Sequence, residues 1–70
     1  MDFVRLVFDK LLAAGTPDEA TRAAIYAECR ASVSAAHAET KEREKALEVL
    51  EKVIRRQEMQ AVYEESLDGN

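Results

Sequence analysis

An all-α fold follows from three observations on this chain of 70 residues. Ala, Glu, Lys and Arg dominate it, no alternation of apolar and polar residues appears, and neither Gly nor Pro occurs between residues 18 and 68. Together they predict a short N-terminal helix, a tight Gly-Thr-Pro turn, and then one long helix (or a helical hairpin) with a coiled-coil-like seam. The length allows a single helical domain over residues 1–70.

The first helix is expected at about residues 2–14. Asp2 can accept from the free amides of the first turn. Val4, Val7, Phe8 and Leu11 fall at helical spacing, and Phe3, Leu6 and Leu12 widen the stripe. Gly15 supplies the left-handed residue that often closes a helix. Phe8, Leu11 and Leu12 are expected to pack near Ile25, Cys29 and Val33.

A second helix is expected to start at Pro17. Thr16-Pro17-Asp18-Glu19 reads as a capping box, with a hydroxyl at the cap, Pro at the first helical position and Glu at the third. A heptad frame then runs through Tyr26, Cys29, Val33, Ala36, Thr40, Arg43, Leu47, Leu50, Ile54, Gln57 and Ala61. The segment 39–45 carries no apolar residue. An unbroken helix over about 17–67 is favoured by the absence of Gly, Pro, Asn and Asp between residues 19 and 67. The alternative is a hairpin broken near 37–41, with Thr40 capping a third helix. Asp18–Arg22, Glu39–Arg43, Glu48–Lys52 and Glu51–Arg55 are spaced for local ion pairs.

Composition narrows the function classes. There are 14 acidic and 10 basic residues, a net charge of −4 and a pI near 4.9. A phosphate-neutralising surface needs the opposite balance, which argues against nucleic acid as the main ligand. No apolar run is long enough for a membrane span. No basic leader with a cleavage site is visible, and Cys29 is the one cysteine, so a reducing, cytoplasmic setting is expected.

The candidate chemistry is sparse. His37 lacks the companions of helical metal sites, and Cys29 lies about 12 Å along a helix from it, beyond thiol–imidazole reach. Glu44, Glu48 and Glu51 share a face but are interleaved with Lys45, Lys52 and Arg55, as in a solvated salt-bridge face. The helix–turn–helix resemblance of the first two helices fails on charge, because the second begins Pro-Asp-Glu, which repels phosphate. Phe3, Phe8, Leu11 and Leu12 suit core packing better than an interfacial membrane helix, whose polar face would be richer in Lys and Arg. No catalytic residue, cofactor or metal ligand is assigned.

Of the apolar residues, 12 are alanine, leaving 21 larger side chains for a core. That is few for a lone small domain and points to further burial against a second copy. The expected function is a non-enzymatic oligomerisation or protein-docking module, a homodimer or higher homo-oligomer. It is expected to self-associate through Leu47, Leu50, Val53, Ile54 and Ala61, with Phe3 and Phe8 completing the core. The alternative is a small regulatory protein that binds nucleic acid or a DNA-bound complex. Its basic patch would be Lys52, Arg55 and Arg56, with Arg22 and Arg30.

Overall fold

The computed structural model describes residues 2–68. They form three helices and no strand: α1 (Phe3–Ala13), α2 (Glu19–Ala36) and α3 (Thr40–Asp68). The body measures 46 × 19 × 18 Å. At 1.5 Å per residue, α3 alone is about 43 Å long and sets that length. α1 and α2 pack along it.

α1 is framed by its own sequence. The Asp2 carboxylate accepts from the Arg5 N–H at 3.2 Å. Gly15, at φ +81°, turns the chain away while its N–H donates to the Leu12 carbonyl at 3.0 Å. The start of α2 differs from the expected capping box. Asp18, not Thr16, is the cap, and its carboxylate accepts from the Thr21 N–H at 2.8 Å. A carboxylate is the stronger acceptor at the positive end of a helix. Leaving Pro17 outside the helix also frees its carbonyl, which accepts from Arg22 at 3.0 Å.

The favoured unbroken helix over 17–67 is not what forms. His37 is extended (φ −120°, ψ 106°), and α3 starts at Thr40. The first α3 bond runs from the Arg43 N–H to the Glu39 carbonyl, so the cap sits one residue before Thr40. The reason is burial. In a straight rod Cys29 and Leu50 would lie about 30 Å apart. Folding back at 37–39 sets their two stripes face to face. Arg43 stabilises the bend by donating to the carbonyls of His37 (3.0 Å) and Ala38 (3.1 Å).

Val7 of α1, Ile25, Tyr26, Cys29 and Val33 of α2, and Ala46, Leu50 and Ile54 of α3 make the buried core. Phe3, Leu6, Leu11, Leu47 and Val53 pack half-buried against it. The expected inward direction of Phe8 and Leu12 is corrected: they are 47% and 60% exposed. Val7 is the α1 residue that is fully buried. Lys10, one turn on, reaches Glu28 of α2 at 3.7 Å, so the opposite edge of α1 turns toward α3.

Candidate functional site

The strongest polar feature is a cluster that ties α2 to the last turns of α3. Arg22 is 3% exposed. Its Nε and Nη2 donate to the two Glu58 oxygens at 2.8 and 3.0 Å. Its Nη1 and Nη2 donate to the two Glu65 oxygens at 2.8 and 3.1 Å. With the Pro17 carbonyl, every guanidinium N–H has an acceptor. Tyr26 Oη donates to Glu58 at 3.0 Å. Donation from Arg22 holds the Glu58 carboxyl below its usual range, and acceptance by Glu58 and Glu65 raises the guanidinium pKa. Burial, with the bond to Glu58, pushes the Tyr26 phenol up to about 12.

This cluster was not foreseen in the sequence, where Arg22 reads as a surface cation. A signal existed. Extending the heptad frame back one step from Tyr26 lands on Arg22, and Glu58 and Glu65 are one heptad apart on α3. A charge on a seam requires partners across it. Three of the four expected local pairs are likewise replaced. Arg22 takes Glu58 and Glu65, Arg43 takes loop carbonyls, and Glu51 takes Arg30 at 2.6 and 2.9 Å. The Arg30 hydrogen bonds hold the Glu51 carboxyl below its usual range.

The expected interface residues separate into two groups. Leu50 is fully enclosed by the chain itself and Ile54 nearly so, and Leu47, Val53 and Phe3 are half-buried against that core. None of these five forms an open stripe, because α1 and α2 already cover them. Ala61 is half-buried and Phe8 is exposed, and both line a groove of about 420 Å³ between α1 and α3. Of the candidate basic patch, Lys52, Arg55 and Arg56 are exposed on α3. Arg22 and Arg30 are tied to carboxylates instead.

What the chain leaves uncovered is a different apolar set. On α3, Met59, Val62, Tyr63 and Leu67 are 69%, 51%, 61% and 60% exposed. Their spacing of three, four and eight residues places them on one side of the helix. On α1, Val4, Phe8 and Leu12 recur every four residues and are also exposed. Met59, Val62 and Tyr63 border a groove of about 750 Å³ between α2 and α3. Ala23, Tyr26 and Ile54 also line it, with Glu19 and Ser66 toward one end, Arg30, Glu51 and Arg55 toward the other, and Glu58 between. Small residues on α2 create it, since Ala23 does not fill the space beside Met59 and Val62.

Cys29 is buried, and burial pushes its thiol up, away from the reactive thiolate. The His37 carbonyl and N–H both serve the bend. Among the described residues no group of three or more His, Cys, Asp or Glu could hold a metal ion, and no helix is long and apolar enough to cross a membrane. No family model matches this chain, and comparison with curated proteins and with solved structures returns no match.

Proposed function

We propose that this chain is a non-enzymatic helical association module that self-associates through the apolar stripe of α3 beside the α2–α3 groove. One observation carries the reading. After the three helices have closed their core, Met59, Val62, Tyr63 and Leu67 remain more than half exposed on one side of α3. Exposed apolar patches rimmed by polar residues mark association surfaces on small proteins. The residues that do the work move accordingly, from Leu50 and Ile54 to Met59, Val62 and Tyr63. Nucleic-acid binding is the weaker proposal, because Arg22 and Arg30 already spend their donors on Glu58, Glu65 and Glu51.

The test is molar mass by light scattering over a dilution series. The expected result is a mass at least twice 7.8 kDa that falls on dilution. Val62→Asp should lower it while the helical circular dichroism is kept, since burying an unpaired carboxylate in an interface is costly. A mass of 7.8 kDa at every concentration would overturn the proposal.

A further inference from the structure

We infer that the occupant of the α2–α3 groove is the same groove of a second copy, docked antiparallel about a two-fold axis near Met59 and Val62. The inference rests on the self-association proposed above and names its geometry. The groove has a charge polarity. One end carries Glu19, the first residue of α2. The other carries Arg55, beside the Arg30–Glu51 pair. Between them lie the apolar side chains of Ala23, Met59, Val62 and Tyr63, and Glu58, whose charge Arg22 answers.

The levels of the two ends follow from the ion pairs. Arg22 reaches Glu58 and Glu65, so Glu19, nearly one turn earlier on the antiparallel α2, lies at the Glu65–Ser66 level of α3. From that level back to Arg55 is about 16 Å of helix, and its midpoint falls between Met59 and Val62. A two-fold axis at that midpoint exchanges the Glu19 and Arg55 levels between the two copies. Glu19 of each copy then faces Arg55 of the other, and the two apolar middles cover one another. A parallel docking would oppose Glu19 to Glu19 and Arg55 to Arg55, which like-charge repulsion disfavours. An isologous contact also closes, so the assembly stops at two.

Among the described residues neither Arg55 nor Glu19 forms a close ion pair. Glu51, one turn before Arg55, feels its charge but accepts its hydrogen bonds from Arg30. The α1 face has no such polarity. Arg5 and Asp9 beside Phe8 answer each other within one helix at 3.9 Å.

The experiment compares four forms of the full chain: unchanged, Glu19→Arg, Arg55→Glu, and the double variant carrying both. Dissociation constants are read by sedimentation equilibrium, and thermal melts check that each form folds. Each single reversal places two like-charged contacts in the dimer and is expected to weaken it about tenfold. The double variant restores both contacts with their signs exchanged and should return to within about threefold of the unchanged chain. Singles that leave the dimer unchanged, or a double variant no tighter than the singles, would overturn the antiparallel docking. If the chain dimerises but only Phe8→Asp dissociates it, self-association stands and this geometry falls. A monomer at every concentration removes both.

Discussion

Arg22 and Glu58 are 36 residues apart in sequence and share two hydrogen bonds of 2.8 and 3.0 Å in the folded chain. The guanidinium is enclosed, while Glu58 and Glu65 stay 31% and 53% exposed. This asymmetry decides what each partner's removal should do. Glu58→Ala strands two buried N–H groups and the Tyr26 hydroxyl, at a cost of about 2–3 kcal/mol. Arg22→Met leaves two carboxylates that water can reach and an apolar side chain in an enclosed site, so its cost should be smaller. Urea unfolding of both variants checks the order, and an Arg22→Met loss larger than that of Glu58→Ala would contradict it.

Acid should weaken the fold through the same groups. Glu58 and Glu51 titrate below their ordinary value of 4.5 in the folded chain, because Arg22 and Arg30 donate to them. The unfolded state therefore binds protons first as the pH drops. The stability these pairs contribute is complete above 4.5 and drains as the pH falls through the folded values. Melting temperatures from about pH 7 to about pH 3 should show the decline, and Glu58→Gln should flatten it.

Alkali acts on Tyr26. Its phenol is pushed from 10.0 up to about 12 by burial and by the Glu58 carboxylate. A raised acid favours the neutral form in the folded state, so its contribution is present below 10.0 and is lost as the pH rises through about 12. Phenolate absorbance should show an ionisation step at about pH 12, and Tyr26→Phe should remove it.

Leu50 tests which surface is core and which is interface. It is fully buried within one chain. Leu50→Ala should cost about 2–5 kcal/mol at any protein concentration. Val62→Ala should alter the stability of the dissociated chain by less than about 0.5 kcal/mol and act on association instead. A concentration-dependent effect of Leu50→Ala with no loss of intrinsic stability would return the seam to an interchain role.

The two ends of the α1–α2 turn and the 37–39 bend should respond differently. Gly15 is at φ +81°, with nothing within 4 Å of where a Cβ would sit. Gly15→Ala therefore costs only backbone strain, about 1–2 kcal/mol. Arg43→Lys should cost about 1 kcal/mol, because one ammonium cannot reproduce the fork that bonds both His37 and Ala38. Thermal melts of the two variants measure both.

Local chemistry was legible without the fold. Asp2 and Gly15 frame α1 because capping and left-handed turning need only neighbours along the chain. The all-helical class follows equally from propensity and the lack of breakers. The bend at 37–39 was open as an alternative and not preferred, since Ala-His-Ala-Glu carries no breaking residue. Burial chose it, because only a folded-back chain lets Cys29 and Val33 meet Leu50 and Ile54. The same closure decided the rest. It turned Phe8 and Leu12 outward, enclosed Leu50 within the chain, and gave Arg22 two carboxylates from α3 in place of Asp18 beside it. A residue's own sequence neighbourhood specifies its backbone, but which apolar face is covered and which is left open depends on where the other helices lie.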